Sequence, residues 1–249
     1  MYKSTLINIG QLTLGGDSPV RLQSMTNTDT LDTGTSIAQC IRIIEAGADM
    51  VRLTTQGERE AEALAIIKKE IWKAGFDTPL IADVHFNPKV AEFAAGIVAK
   101  VRINPGNYVD KRASFKNIEL SEKQYNEELE RIHERILPLI NKCITNGTAI
   151  RIGVNHGSLS DRIMTRYGNT PAGMAFSAME FIRVFSAENF QKLVLSMKSS
   201  NVLIMIEATK LLVKMMQDID KQVDLLRERK IGSEFTQLTM IDHGLFMQW

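Results

Sequence analysis

One order of segments repeats along this chain and limits the folds open to it: a helix-forming segment, a glycine, a short loop and an apolar strand-forming segment. Glycine suits the position after a helix because it has no Cβ to clash in the left-handed conformation. Strands separated by helices run parallel, since each crossover helix returns the chain to the same edge of the sheet. Strand candidates recur about every 35 residues, the size of a βαβ unit. They are Val20–Met25, Met50–Thr55, Pro79–Val84, Lys100–Pro105, Thr148–Val154 and Lys192–Lys198.

Helical patterns fill the intervals between these strands. Eight βα units close a TIM-type barrel, which takes roughly 250 residues. About six of the eight units are visible, so the sequence predicts an α/β fold in which residues 1–217 form an incomplete TIM-type (β/α) barrel. The first 18 residues predict a small hairpin that covers the barrel floor. The predicted helices are Thr33–Ala46, Glu58–Ala74, Pro88–Ala95, Pro171–Ser186 and Val202–Gln217.

Two segments depart from this order. Residues 107–147 form a long, polar and helical insert between the fourth and fifth strands, with Ser121 and Gln124 spaced as a capping box. Pro138 is expected to break the insert helix in two. Residues 218–249 lack an apolar strand followed by an amphipathic helix. This tail is either a natural divergent end or non-native sequence from cloning or a frameshift.

Composition excludes several classes of function. Thirty basic residues against 29 acidic ones give a net charge of +1, which argues against non-specific binding to nucleic acid or to an anionic membrane. The two cysteines, Cys40 and Cys143, form neither a disulfide framework nor a metal knuckle, and an iron–sulfur cluster needs three or four thiolates. The first residues contain no apolar stretch of signal-peptide length, and we expect a cytoplasmic protein.

An arginine between two aliphatic residues recurs on three predicted strands, at Arg52, Arg102 and Arg151, and more weakly at Arg21. Side chains alternate across a strand, so the aliphatic neighbours face the helices and each arginine faces the barrel interior. An unpaired buried cation costs several kcal/mol, and Asp83 is the one obvious inward carboxylate on the predicted strands. This imbalance favours a bound anion, because arginine binds phosphate oxygens bidentately. The alternative is a lattice of salt bridges with acids on the helices.

Polar residues follow the predicted strands at the same end of each, where barrel enzymes place their active sites. Asp83 and His85 share one face of the third strand, and we expect them to contact substrate hydroxyls rather than a metal, since too few ligand types surround them. The alternative is a structural pair without a ligand. Asn104 and Asn155 follow the fourth and fifth strands. Lys198 ends the sixth strand beside a helix N-terminus, a favourable setting for phosphate.

Six strand-end motifs together resemble the 4-hydroxy-3-methylbut-2-enyl diphosphate synthase family of the non-mevalonate isoprenoid pathway. The resemblance covers residues 1 to about 217 in order, and the segment NHGSLSDRI (155–163) resembles the longer form found in plants, chlamydiae and Bacteroidetes-type bacteria. The motifs are LQSMTNT (22–28), GADMVRL (47–53), IADVHFN (81–87), KVRINPGN (100–107), RIGVNHGSLSDRI (151–163) and SMKSSN (196–201).

The resemblance implies a two-electron reductive ring opening of 2-C-methyl-D-erythritol 2,4-cyclodiphosphate. It implies a [4Fe–4S] cluster held by a separate C-terminal domain, ferredoxin or flavodoxin as electron donor, and a homodimer. Carried over to this chain, four basic residues would bind the diphosphate, and four polar ones would contact hydroxyls or order the site. The basic set is Arg52, Arg102, Arg151 and Lys198, and the polar set is Asp83, His85, Asn104 and Asn155.

The sequence departs from the family pattern after Gln217, where neither the family's Thr-Glu-Ala-Gly motif, with its proposed acid–base glutamate, nor the cluster cysteines are found. We therefore expect this chain alone to be inactive, to bind no cluster and to contain no catalytic residue of its own. Two alternatives stay open at this point: a truncated, non-catalytic diphosphate-binding fragment and a pterin-binding-type barrel enzyme. The second would need a glycine-rich pyrophosphate loop, which the sequence does not show.

Overall fold

The computed structural model describes residues 4–110 and 120–228, with side chains described as far as residue 219. Most of the predicted tail, 218–249, therefore lies outside the described residues, as does part of the predicted insert. Every described helix is too short or too polar to traverse a lipid bilayer.

Six parallel strands form the main sheet, and they lie side by side in the order in which they occur along the chain. This order confirms the predicted succession of βα units and the TIM-type architecture. The strands are β3 (Gln23–Met25), β4 (Met50–Thr54), β5 (Leu80–Asp83), β6 (Lys100–Ile103), β7 (Ala149–Asn155) and β8 (Leu193–Lys198).

Helices cover the outer face of this sheet and bury its aliphatic side chains in one continuous core. The helices are α1 (Thr33–Glu45), α2 (Glu58–Lys73), α3 (Pro88–Ala94), α4 (Pro105–Tyr108), α5 (Glu122–Asn146), α6 (Asp161–Tyr167), α7 (Pro171–Ala187) and α8 (Val202–Glu228). The short helices α4, next after β6, and α6, which follows β7 after a single 3-10 turn at His156–Ser158, were not expected. Helix α8 continues beyond the predicted end at Gln217.

A two-stranded antiparallel hairpin, β1 (Ile7–Ile9) and β2 (Leu12–Leu14), covers the end of the sheet where the parallel strands begin. Its apolar side chains form a second buried cluster with residues near the starts of β4, β5 and β7. The predicted hairpin at the barrel floor is confirmed. The buried members of this cluster, called here the apolar floor, are Ile7, Ile9, Met50, Ile81 and Ala149.

The sheet is curled so that its inner face is concave. Neighbouring strands lie about 4.8 Å apart and side chains stand roughly perpendicular to the sheet, so in a flat sheet side chains three strands apart would point in parallel without meeting. Yet Lys100 Nζ on β6 donates a hydrogen bond of 3.1 Å to Gln23 Oε1 on β3. This contact crosses the interior of a partly formed barrel.

The insert helix begins as predicted but is not broken at Pro138. The capping box is confirmed, since the Ser121 side chain accepts from the Gln124 backbone and the Gln124 side chain accepts from the Ser121 backbone. The predicted break at Pro138 is wrong, because α5 runs through it as one helix of 25 residues. A proline inside a helix costs about 3 kcal/mol, whereas each buried isoleucine or leucine contributes roughly 1.5–3 kcal/mol. The side chains that outweigh it, on both sides of the proline, are Ile132, Ile136, Leu139 and Ile140.

Candidate anion site

Strand alternation places the three predicted arginines on the concave face. Val51 and Leu53 on β4 are fully buried in the helix-facing core, so Arg52 between them points the other way. The same pattern holds on β6 and β7, where the aliphatic neighbours of Arg102 and Arg151 belong to that core. The three guanidiniums therefore share the interior of the partial barrel, as the sequence predicts.

Asp83 lies at the centre of this group. Its side chain is 5% exposed, and it forms ion pairs of 3.3 Å with Arg102 and 3.6 Å with Arg52. His85 Nε2 lies 3.4 Å from Asp83 Oδ2, the carboxylate oxygen that also faces Arg52. Burial opposes ionisation of Asp83, but the hydrogen bond from His85 and the charges of Arg102 and Arg52 outweigh it, and the pKa of Asp83 is lowered. Asp83 is therefore an ionised counter-charge shared by two arginines.

Arg102 is held in place from a second strand. Its Nη2 donates a hydrogen bond of 3.1 Å to the backbone carbonyl of Gly153 on β7. A Cβ added to Gly153 would lie 2.5 Å from Arg102 Nε. The absence of a side chain at Gly153 thus leaves the space that the Arg102 guanidinium occupies.

Arg151 forms no ion pair within the described residues. Its Nε donates a hydrogen bond of 3.0 Å to the Ser196 hydroxyl on β8. Burial, followed by repulsion from Arg52 and Arg102, lowers its pKa despite the attraction of Asp83. Arg151 is therefore repelled by the neighbouring positive charges and has no ion-paired carboxylate among the described residues to offset that repulsion.

Sequence reasoning missed one inward cation, Lys100. Its side chain is among the largest fully buried ones of the protein, and it lies two residues before Arg102 on the same face of β6. The period-2 pattern that identified Arg102 would have identified Lys100 as well.

The charges of the concave face do not balance. Lys100 and the three arginines bring four potential positive charges, against the single carboxylate of Asp83 among the described residues that pair with them. A surplus of buried positive charge is costly unless an anion compensates it. The arrangement is therefore suited to a ligand with two or more negative charges.

The two predicted asparagines lie at the strand exits. Asn104 is buried, donates a hydrogen bond of 2.7 Å to the Ser158 hydroxyl and accepts one of 3.2 Å from the Gly106 backbone. A Cβ on Gly106 would lie 1.8 Å from the Ser158 carbonyl oxygen, so the close approach that glycine permits here is between α4 and the segment that follows β7. Asn155 ends β7. Their contact with substrate stays a prediction.

His85 and Lys198 lie at the edge of the site. The His85 side chain is 39% exposed while it contacts Asp83. Lys198 is exposed at the last residue of β8, where it pairs in register with Asn155. Both residues can therefore reach a ligand that enters from the open end of the barrel.

Arg21 does not belong to the site. It lies before β3 and forms an ion pair of 3.3 Å with Asp49, next to a hydrogen bond to the Thr13 carbonyl of the hairpin. Its expected place on the inner face is wrong, because the first parallel strand is shorter than predicted and begins only at Gln23.

Residues 4–220 match the GcpE TIM-barrel domain family. The chain belongs to this family. It is 54% identical over 215 residues to the 4-hydroxy-3-methylbut-2-en-1-yl diphosphate synthase (flavodoxin) of Parabacteroides distasonis. This alignment covers 86% of this chain and 35% of the relative. It is 45% identical over 217 residues to the chloroplastic 4-hydroxy-3-methylbut-2-en-1-yl diphosphate synthase (ferredoxin) of Oryza sativa subsp. japonica. That alignment covers 87% of this chain and 29% of the relative. The chain thus spans about a third of the length of these relatives.

Among solved structures, methylaspartate ammonia lyase from Clostridium tetanomorphum is similar in fold. The TM-score is 0.53 at 13% identity, over 86% of this chain and 45% of that one. At this identity the similarity concerns the barrel architecture and nothing of the chemistry.

The cysteines of this GcpE-family chain do not fit an iron–sulfur cluster. Cys40 lies in α1 and Cys143 in α5, and both are fully buried. Burial raises the pKa of Cys40 to about 11 and that of Cys143 to about 12, the opposite of what a thiolate ligand requires. In the described residues no three His, Cys, Asp or Glu side chains converge as a metal site. The described residues of this chain therefore supply no ligand set for such a cluster.

Proposed function

We propose that this chain is the substrate-binding barrel of a 4-hydroxy-3-methylbut-2-enyl diphosphate synthase and binds the diphosphate of 2-C-methyl-D-erythritol 2,4-cyclodiphosphate. The observation that carries the proposal is the surplus of positive charge on the concave face around Asp83. A cyclic diphosphate brings two negative charges on neighbouring phosphorus atoms, which matches several guanidiniums that share one concave face.

The residues divide into two roles. Arg52, Arg102 and Arg151 bind the phosphate oxygens from inside the barrel, and Lys198 closes the site at its rim. Four polar residues contact hydroxyls of the substrate or order the site: Asp83, His85, Asn104 and Asn155. The contacts of Asp83 with two arginines and of Asn104 with Ser158 support the ordering role for these two.

The whole enzyme would open the ring of the cyclodiphosphate with two electrons. The relatives are named for flavodoxin and ferredoxin, and we propose either as the electron donor, with a [4Fe–4S] cluster on a separate domain and a homodimer in the complete protein. This chain alone would hold the substrate without turning it over.

Buried free thiols agree with a reducing compartment, and we propose that the protein acts in the cytoplasm.

Binding of the cyclodiphosphate, measured by isothermal titration calorimetry on the 249-residue chain, tests this function. Arg102→Ala removes charge-assisted hydrogen bonds and should weaken binding by about 1.5–3 kcal/mol. Arg21→Ala is the matched control, because Arg21 lies at the barrel floor beside Asp49. Equal losses in the two variants, or no binding by the unmodified chain, would refute the proposal.

A reductase assay with an artificial electron donor decides between reductase barrel and non-catalytic fragment. Binding without turnover is expected for this chain in either case, so the assay is run with and without a polypeptide, added in trans, that supplies both the missing Thr-Glu-Ala-Gly segment and the cluster-bearing C-terminal domain. Turnover only in the presence of that domain supports the reductase. Family membership favours this function over a pterin-binding-type barrel.

A further inference from the structure

Lys100 is a buried cation that the proposed diphosphate contacts do not use. Its residue exposure is 2%, and its Nζ contacts Gln23 Oε1 at 3.1 Å and Met50 Sδ at 3.6 Å. It lies two residues closer to the barrel floor than Arg102, hence about 6.6 Å lower along the strand. The ammonium group of Lys100 thus lies below the arginines, on the side of the barrel floor.

Each element around Lys100 contributes a neutral or a positive group. Gln23 comes from β3, Met50 and Arg52 from β4, and Arg151 from β7. No carboxylate of the described residues lies within ion-pair distance of Nζ. Asp83 on β5, the acid of this face, is already engaged by Arg52, Arg102 and His85.

We propose that Lys100 is a positioning residue at the base of the anion site, whose ammonium, held by Gln23, supplies charge to the bound diphosphate and takes up a proton when the anion binds. This inference rests on the proposed function, because it requires a diphosphate above the arginines. It goes beyond that function in making the affinity depend on a side chain that does not reach the rim of the site.

The direction of the proton exchange follows from the surroundings. Burial, and then repulsion from Arg151 and Arg52, lowers the pKa of Lys100 to about 7 in the free protein. A bound dianion offsets that repulsion and raises the pKa again. Above pH 7 the free protein holds Lys100 mostly neutral and the complex holds it charged, so binding takes up a proton and weakens as the pH rises.

The cyclodiphosphate is a suitable probe because each phosphorus carries one strongly acidic hydroxyl, so the ligand itself does not titrate near neutrality. Calorimetric titrations at pH 7.5 in two buffers of different ionisation enthalpy measure the protons exchanged. The unmodified chain should take up a large fraction of one proton. Lys100→Met keeps the length of the side chain without its charge, and it should bind roughly tenfold more weakly and take up no proton. Lys100→Arg, which stays charged at this pH, should bind well without proton uptake.

His85→Gln is the comparison variant, because the His85 imidazole contacts Asp83 within this site and can also accept a proton. If proton uptake on binding persists in Lys100→Met and disappears in His85→Gln, the role of Lys100 is overturned and the proposed function is left intact. Absence of binding by the unmodified chain overturns both. Thermal melting shows whether each variant is folded, and Lys100→Arg gives an independent answer if Lys100→Met is not.

Discussion

Replacing Asp83 by asparagine would leave the cations of the concave face without their shared carboxylate. Removal of one partner from a fully buried ion pair costs about 3–5 kcal/mol. Arg52 and Arg102 keep 23% and 13% of their side chains exposed, so water screens part of the remaining charge, and we expect a loss of about 2–3 kcal/mol. For a domain of this size the melting temperature falls by about 2–4 °C per kcal/mol, which predicts a drop of about 4–12 °C.

The assay is thermal unfolding followed by circular dichroism, with and without inorganic pyrophosphate. The anion should raise the melting temperature of Asp83→Asn by more than that of the unmodified chain, because more positive charge is left to neutralise. Asp49→Asn removes the partner of Arg21 at the barrel floor and should show no such enhancement. Equal gains from pyrophosphate in Asp83→Asn and the unmodified chain would refute the charge argument.

The same comparison has a defined pH dependence. The pKa of Asp83 lies below its ordinary value of 3.8 in the folded protein, so the folded state favours the ionised carboxylate. Its contribution is complete above the pKa of the unfolded chain and is lost as the pH falls through the lower, folded pKa. The difference in stability between the unmodified chain and Asp83→Asn should therefore persist at pH 5–7 and shrink below about pH 4.

Three further predictions follow from other features. Gly153→Ala should displace Arg102, cost about 1–3 kcal/mol of stability and weaken cyclodiphosphate binding, whereas Gly157→Ala, which meets nothing within 4 Å, should do neither; similar behaviour of the two variants in melting and calorimetry would contradict this. Anaerobic reconstitution with iron and sulfide should give no stoichiometric cluster absorption, because Cys40 and Cys143 are buried in different helices, and one cluster per chain or per dimer would disprove it. Because β3 and β8 each pair with one parallel neighbour in the described sheet, their open edges should promote self-association, and a monomer at all concentrations in size-exclusion chromatography would count against that expectation.

The repeated helix–glycine–strand order was sufficient to predict the parallel sheet, because its strands are buried on the helix side and read as aliphatic runs. The ends of elements were less well predicted where local rules compete with tertiary packing. Pro138 follows the rule for a helix break, yet the buried face of α5 keeps the helix continuous. Among the described strands the first parallel strand has a neighbour on one side only, and Val20 and Leu22 at its predicted start are exposed.

The anion site was predictable as far as it depends on alternation along single strands. Arg52, Arg102 and Arg151 followed from their aliphatic neighbours. The partners that hold them come from other strands, as with the Gly153 carbonyl and the Ser196 hydroxyl. Such contacts depend on the register between neighbouring strands, which no local pattern in either strand encodes.

The apolar floor described above has a consequence for the rate at which an anion arrives. A concave face that is closed below by hydrocarbon and carries a surplus of positive charge directs its electric field out through the open end, and such focusing can raise association rates by 10–10³-fold. The chain as a whole carries a net charge of only +1, so this attraction is local to the mouth of the barrel. Added salt should therefore slow the association of the diphosphate much more than it speeds its dissociation, since the bound anion sits where few counter-ions reach.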